Sequence, residues 1–252
     1  MKSEYKIVIT NDDGLFSEGL IPLVKEITKL GDVCIIVPER EMSAVSHSLS
    51  LLVPVRVKEI TLNGFNIKLV SGTPADCVRL GIIEFQKRKT NIVISGINQG
   101  PNLGYDVNYS GTVAAAREAM FLGVAGVAVS SVSSDYKLVA EITREIVKFY
   151  LDSGYKQLLN INFPKVKPKG IKVTTLGERR YQDVIYKKRD PIGIPYYWLK
   201  SKLIKNDEKK DLTTDVAALN NGYISVTPLT FDVTNYKELN KTSLLFKRFL
   251  LK

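Results

Sequence analysis

The sequence predicts an α/β protein in which a doubly wound, mostly parallel sheet carries helices on both faces. Short apolar runs such as YKIVIT at residues 5–10 are typical of strands buried on both faces. These runs alternate with segments of helical period, which is typical of βαβ units. Polar segments rich in Asp, Asn, Ser and Gly follow several of the runs. A chain of 252 residues is long enough for one such domain with an appendage.

The order of the elements follows from this pattern. The predicted strands are, in chain order, 5–10, 31–39, 91–98, 123–132, 158–164, 171–177 and 222–233. The predicted helices are 19–30, 73–88, 111–123, 136–151 and 235–252. Residues 53–72 alternate around Asn63-Gly64, which predicts a hairpin with a type I′ turn. Thr73 as N-cap and Pro74 at the first helical position predict where the second helix begins.

The pattern changes after about residue 178. Residues 178–211 are charged and aromatic and have no helical period, so they indicate an extended hairpin, or arm. We therefore predict a core over residues 1–177 and a second segment over 178–252. The second segment would contain the arm, a strand and a C-terminal helix.

Composition excludes some classes of function. No apolar run approaches the length of a membrane-spanning helix, and the N-terminus lacks a signal-type apolar region, so we expect a cytoplasmic protein with no membrane partner. His47 is the one histidine, which argues against zinc centres that need several imidazoles. The net charge of +10 admits an anionic substrate or nucleic acid. A solvated, lysine-rich surface is the simpler interpretation of the charged runs.

Oxygen-bearing side chains follow the predicted strands. Asn11-Asp12-Asp13-Gly14 follows the first strand, a loop with Ser43 follows the second, and Asn98 ends the strand at 91–98. Ligands bind beyond the carboxyl ends of parallel strands, and carboxylate, amide and hydroxyl oxygens suit Mg²⁺ or Mn²⁺. Two adjacent buried acids are also less costly when a cation lies between them. The alternative is a turn with a capping acid.

Two further segments suggest contacts with an anion. Ser110, Gly111 and Thr112 begin a predicted helix, where N–H groups and hydroxyls can hold phosphate, although an ordinary N-cap would look the same. Gly72 and Thr73 lie in SGTP, ahead of the helix at 73–88. The glycines of SGINQGPNLG do not have the spacing of a dinucleotide fold or a P-loop. They are placed to bend a loop close to a ligand.

Five ordered blocks make the sequence resemble the SurE family of stationary-phase survival nucleotidases. They are ITNDDG, VPEREMSAVSHSL, LVSGTPADCVRL, IVISGINQGPNLGYDVNYSGTVAAAREA and ISVTPLTFDVT. The resemblance implies a metal-dependent phosphatase acting on nucleoside 5′- and often 3′-monophosphates. Longer phosphate polymers are a further possible substrate. It implies one Mg²⁺ or Mn²⁺ per subunit, with Asp12, Asp13, Ser43 and Asn98 as ligands.

The resemblance also implies a fold and an assembly. The fold would be a three-layer Rossmann-like core with a projecting hairpin, and a C-terminal segment exchanged between the subunits of a homodimer or homotetramer.

The sequence departs from the family pattern at two positions. Ala44 occupies a position usually filled by Gly, which would stiffen that loop. Tyr236 stands where many members have a His, and Tyr is a poor proton donor to a leaving group at neutral pH.

A mechanism follows as a hypothesis. Asp12 and Asp13 would be catalytic as well as metal-binding, since one of them could accept the proton of an attacking water. The predicted substrate- and phosphate-binding residues are Asn11, Gly72, Thr73, Asn102, Ser110, Gly111 and Thr112.

Three competing interpretations of the sequence have less support than a metal-dependent phosphatase. A phosphorelay receiver needs a further Asp and a Lys that are missing here, and a haloacid dehalogenase needs an Asp where Asn11 stands. We do not expect nucleic acid as a partner, although a nucleic-acid-binding protein could use the basic arm. The basic residues of that arm are Arg179, Arg180, Lys187, Lys188 and Arg189.

Overall fold

A nine-stranded mixed sheet forms the centre of the computed structural model, which describes residues 5–206 and 212–250. Its strand order is β3-β4-β2-β1-β5-β6-β7-β11-β8. The strands of this sheet are β1 Tyr5–Thr10, β2 Gly31–Pro38, β3 Val57–Leu62, β4 Phe65–Val70, β5 Ile92–Gln99, β6 Ala125–Ser131, β7 Leu158–Phe163, β8 Ile171–Val173 and β11 Ile224–Leu229. A separate two-stranded sheet pairs β9 Arg179–Arg189 with β10 Pro195–Asn206.

Six α-helices accompany the described strands. They are α1 Leu20–Ile27, α2 Pro74–Leu80, α3 Gly111–Phe121, α4 Tyr136–Asp152, α5 Asp215–Asn220 and α6 Leu239–Leu250. β1 pairs in parallel with both β2 and β5, and β6 and β7 continue the parallel run. The strands β3 and β11 are antiparallel to their neighbours β4 and β7.

Alternation along β1 explains the three layers. Ile7 and Ile9 belong to one core cluster with residues of α1 and α4, whereas Val8 belongs to a second cluster with residues of α2 and α3. Because successive side chains of a strand point to opposite faces, a continuous apolar run requires helices on both sides. The predicted three-layer, mostly parallel α/β fold is confirmed.

Local signals placed several boundaries correctly. Asn63 and Gly64 have φ of 51° and 82°, the two positive values that a type I′ turn requires. Thr73 caps α2, and Pro74 is its first residue. The predicted helix over 73–88 is divided, however, into α2 and a π-helical turn over Gly81–Phe85.

The core sheet extends past residue 177. β11 lies between β7 and β8 in the main sheet, and α5 packs beside it. The sequence pattern did not predict α5, a short helix capped by Thr214 and held by the fully buried Asp215. Asp215 accepts hydrogen bonds from the backbone N–H groups of Gly104 and Gly177, at 2.9 and 2.7 Å. A short helix fixed by such distant contacts has little periodic signal of its own.

The predicted arm and terminal helix are present as β9–β10 and α6. Residues 207–211 and 251–252, which the predictions assign to these two elements, lie outside the described residues. Both elements expose large apolar side chains, including Leu199 and Trp198 in the arm and Phe249 in α6. Among the described residues, no helix combines the length and apolar character needed to cross a bilayer.

Candidate metal and phosphate site

A cavity of about 330 Å³ opens at the carboxyl ends of β1 and β5, next to the N-terminus of α3. The residues that line it are Asp12, Asp13, Glu41, Ser43, Ala44, Asn98, Gln99, Asn102, Tyr109 and Ser110. Besides the two adjacent acids, four of the residues predicted for the cation and the phosphate line it, namely Ser43, Asn98, Asn102 and Ser110. The fold therefore brings together most of the residues that the sequence indicated.

Asp12 is the most buried acid of the cavity, with 4% of its surface exposed. Its Oδ1 accepts a hydrogen bond of 2.5 Å from the hydroxyl of Thr112, and its backbone carbonyl accepts one of 2.7 Å from the N–H of Met42. Burial raises the pKa of Asp12 because the carboxylate loses hydration, although the bond from Thr112 opposes that rise. The carboxylate is thus fixed in place but lacks a counter-charge.

Asp13 is less buried than Asp12, and its carboxylate also lacks a positively charged side chain in the cavity. Burial, and then the neighbouring charge of Asp12, raise its pKa to about 6. Among the described residues that line the cavity there is no Lys or Arg, so no side chain there neutralises the pair. Oxygen donors around two uncompensated acids are what a hard divalent cation needs. The residues present therefore fit such an ion.

Ser43 reaches the cavity from the loop that follows β2. Its hydroxyl donates a hydrogen bond of 2.7 Å to Oε1 of Glu41. The next residue, Ala44, has φ of 56°, in the left-handed region that favours glycine. Farther along, Ser46 anchors the loop with two hydrogen bonds. Its hydroxyl donates to the carbonyl of Asn108 at 2.7 Å, and its N–H donates to the carbonyl of Tyr109 at 3.0 Å.

Two asparagines border the opposite side of the cavity. Asn98 donates from Nδ2 to the carbonyl of Gly100 at 2.9 Å, so its amide oxygen is the atom it can offer to a cation. Asn102 is held by two buried side chains of β7. Its N–H donates to Asn162 at 2.8 Å, and its carbonyl accepts from Asn160 at 2.8 Å. These bonds fix the loop and leave the side chain of Asn102 in the cavity wall.

The N-terminus of α3 approaches the acids closely. Ser110 caps the helix by accepting a hydrogen bond of 3.1 Å from the N–H of Val113. A Cβ atom on Gly111 would lie 2.8 Å from Cβ of Asp12 and 3.2 Å from the carbonyl oxygen of Met42. Only glycine fits there without displacing backbone or the buried acid. The unpaired N–H groups of a first helical turn favour an anion at this place.

Comparison with known proteins agrees with the geometry. The family model described as "Survival protein SurE" matches residues 7–183. This chain belongs to the SurE family. A protein of Pelotomaculum thermopropionicum named "5′-nucleotidase SurE" is 43% identical over 248 residues, covering 96% of this chain and 95% of that protein. One of Campylobacter jejuni with the same name is 41% identical and covers 94% of this chain and 95% of its own.

A solved structure of the family has the same fold. The crystal structure of the SurE protein from Aquifex aeolicus matches with a TM-score of 0.80 at 38% sequence identity. The match covers 95% of this chain and 99% of that chain.

Some predicted site residues lie outside the cavity lining. Asn11 is buried and closes the turn to Gly14, donating to its carbonyl at 2.9 Å and accepting from its N–H at 3.1 Å. Thr73 donates to the carbonyl of Ser48 at 2.8 Å, and a Cβ on Gly72 would lie 2.5 Å from Asp76 Oδ2. These residues shape the turns beside the site. Their predicted role in binding substrate remains a prediction.

Thr112 contacts one of the acids, and three residues that the sequence did not predict also line the cavity. The hydroxyl of Thr112 faces Asp12, so it supports the acid. Glu41, Gln99 and Tyr109 line the cavity but were not predicted. Each of these three residues lies within two positions of a predicted site residue in the sequence. This closeness along the chain was the one signal that could have identified them.

Tyr236 and His47 lie in other surroundings. Tyr236 is 67% exposed on the segment before α6, where its hydroxyl donates to Asp232. His47 contacts the carboxylate of the buried Glu118 at 2.7 Å, and Glu118 also accepts a hydrogen bond of 2.6 Å from Arg79. His47 therefore connects the loop after β2 to α3, and it is not among the residues that line the cavity.

Proposed function

We propose that this chain is a phosphatase that hydrolyses nucleoside monophosphates to nucleoside and phosphate. Its substrates would be 5′-nucleotides, with 3′-nucleotides and polyphosphate as further candidates. The observation that carries the proposal is a pair of acids with no Lys or Arg among the described residues that line the cavity: Asp12, buried against the N-terminus of α3, and the half-buried Asp13. The printed name of the relatives, 5′-nucleotidase SurE, supports the same substrate class.

One divalent cation per subunit, Mg²⁺ or Mn²⁺, would be held by Asp12, Asp13, Ser43 and Asn98. When bound, such an ion neutralises phosphate charge and lowers the pKa of a water molecule. The chain supplies the rest of the arrangement. Thr112 holds one oxygen of Asp12, so this carboxylate keeps a single orientation. Asp13, which is less buried, is the better candidate to accept a proton from water.

The phosphate would lie between the acids and α3. Ser110, the N-cap of that helix, and Asn102 both line the cavity, so the first N–H groups of the helix and the Asn102 side chain would be the donors to the phosphate. Fixed donors of this kind stabilise charge that develops on phosphate oxygens, because they need no reorganisation during the reaction. Asn160 and Asn162 keep the backbone of Asn102 in place.

We assign no proton transfer to Tyr236. The hydrogen bond to Asp232 raises the pKa of its phenol above an already high ordinary value. A group that keeps its proton so firmly is a weak general acid at neutral pH. The leaving oxygen of the nucleoside would therefore take its proton from water.

The assembly is proposed as a homodimer or homotetramer in the cytoplasm. Residues 178–252 would act as the segment that contacts or exchanges with other subunits. The support is the apolar surface of β9, β10 and α6, where Leu199 is 80% exposed and Phe249 is 74% exposed. Exposed apolar surface on this scale is typical of an interface.

The test is a substrate and metal panel. Phosphate release would be measured from 5′- and 3′-mononucleotides, polyphosphate and p-nitrophenyl phosphate, with Mg²⁺, with Mn²⁺ and with chelator. We expect release from mononucleotides that chelator abolishes, and no release by Asp13→Ala although its circular dichroism matches that of the native chain. Activity of Asp13→Ala with added metal would contradict the proposal. Salt-sensitive oligonucleotide binding without phosphate release would favour the nucleic-acid alternative.

A further inference from the structure

Glu41 is the third carboxylate of the cavity, and neither the family resemblance nor the proposed ligand set gives it a role. It lies on the loop after β2, two residues before Ser43. Its Oε1 accepts the hydroxyl proton of Ser43 at 2.7 Å. Both residues line the cavity beside Asp12 and Asp13.

The backbone between these two residues is anchored. The N–H of Met42 donates to the carbonyl of Asp12 at 2.7 Å, so the loop is tied to the end of β1 at this point. Glu41 and Ser43 flank this anchored residue, and both line the cavity.

A hydroxyl is a neutral ligand, and its orientation decides what it offers to a cation. If its proton points into the cavity, it repels a positive ion. When the proton is directed to a carboxylate, the lone pairs are free for the ion and the oxygen becomes more electron-rich. Partners of this kind orient ligands and raise their basicity in metal sites generally.

We propose that Glu41 is a positioning residue that makes Ser43 a metal ligand. This inference rests on the proposed function, because it takes the assignment of Ser43 to the cation from there. Glu41 acts through Ser43, and its contribution disappears when Ser43 has no hydroxyl. A carboxylate that acted only by its charge would contribute equally with or without that hydroxyl.

A double-mutant cycle measured as metal affinity separates the two cases. Mn²⁺ binding to the full chain would be measured without substrate, from the electron paramagnetic resonance signal of free Mn²⁺. The proteins are the native chain, Glu41→Ala, Ser43→Ala and the double variant. We expect Glu41→Ala to weaken binding about 10- to 100-fold. The double variant should bind about as weakly as the weaker single variant, because the two residues act as one unit.

Two further variants control the cycle. Glu41→Gln keeps an acceptor oxygen, so we expect it to bind Mn²⁺ more tightly than Glu41→Ala. Glu39→Ala removes a carboxylate from the same loop, but Glu39 pairs with Lys58 at 3.8 Å and does not line the cavity. We expect native affinity from Glu39→Ala, and circular dichroism should report native folding for every variant.

Three results would overturn the inference. The first is native Mn²⁺ affinity in Glu41→Ala. The second is a loss of affinity in the double variant equal to the product of the two single losses. The third is an equal loss of affinity in Glu41→Gln and Glu41→Ala. Failure of the proposed function has a different signature. In that case the native chain would bind no Mn²⁺ and would release no phosphate from mononucleotides with or without metal, which would end the positioning role as well.

Discussion

The cavity at the carboxyl edge of the sheet and the arm with its terminal helix use their side chains in opposite ways. At the cavity, polar groups such as Asp12, Thr112 and Asn162 are buried and hydrogen-bonded to one another or to backbone. In the arm and α6, large apolar groups such as Leu199 and Phe249 are exposed. The first region is completed by contacts within one chain. The second has contacts left to make, which is the physical basis of the proposed assembly.

The largest effect is expected from Gly111→Ala, which places a methyl group between α3 and the acids. The added Cβ would lie 2.9 Å from Oδ2 of Asp12, so either the helix or the carboxylate must shift. A displacement of about 1 Å can cost about 100-fold in rate, and we expect at least that loss in kcat/KM with 5′-mononucleotides.

The control is Gly123→Ala near the other end of α3. Gly123 has φ of 75° and nothing within 4 Å of an added Cβ. Its alanine variant should lose stability but keep kcat/KM, and equal activity losses in both variants would show that general destabilisation is the cause.

A smaller effect is expected when the support of Asn102 is removed. Asn162→Ala leaves the N–H of Asn102 without its acceptor, and an unpaired buried group costs about 1–3 kcal/mol. We expect unfolding by urea at a lower midpoint and about tenfold lower kcat. Asn66→Ala is a suitable control, because the Asn66 side chain donates to the exposed Glu59 side chain on the hairpin, at 3.3 Å, and does not line the cavity. If Asn162→Ala loses stability but no activity, the position of Asn102 does not matter for the reaction.

The pH dependence of stability tests the uncompensated acids. Asp13 has a folded-state pKa of about 6, above its ordinary 3.8, so the folded chain holds this proton after the unfolded chain has released it. Stability is therefore lost as pH rises through the window from about 4 to about 6. In metal-free protein, Asp13→Asn should raise the Tm at pH 7.5 but much less at pH 4.5. Melting curves after dialysis against chelator measure this, and an equal gain at both pH values would refute the electrostatic explanation.

The smallest effect on the fold is expected in the exposed region. Leu199→Ser changes a side chain that is 80% exposed, and exposed substitutions usually change stability by no more than about 0.5 kcal/mol. We expect an unchanged unfolding free energy when the variant is compared at equal subunit concentration below the association range. The mass in solution, measured by sedimentation, should fall. A native mass would indicate that the arm does not contribute to assembly.

The parts of the fold that could be predicted depend on local chemistry. Apolar runs gave the strands, Asn63-Gly64 gave the hairpin turn, and Thr73-Pro74 gave the start of α2. The helix α5 was missed, since it is fixed by contacts of Asp215 with distant loops. Insertion of β11 between β7 and β8 is likewise a property of the whole sheet.

The same distinction holds at the site. Asp12 and Asp13 stand out in the sequence, because two adjacent acids after an apolar run need an explanation. The contact of Thr112 with Asp12 and that of Ser43 with Glu41 decide which groups face the cavity, and the sequence pattern indicated neither. Directions of individual hydroxyl groups depend on tertiary packing and on the exact approach of loops.

The hydrogen bond from Thr112 to Asp12 joins residues 100 positions apart in the chain. During synthesis, the first βαβ unit leaves the ribosome long before α3 has been made. Until then the two acids have neither their hydroxyl donor nor the helix end that faces them. We therefore expect a nascent chain to hold no competent cation site, so that the ability to cleave nucleotides begins only when the sheet has received its fifth strand and the helix after it.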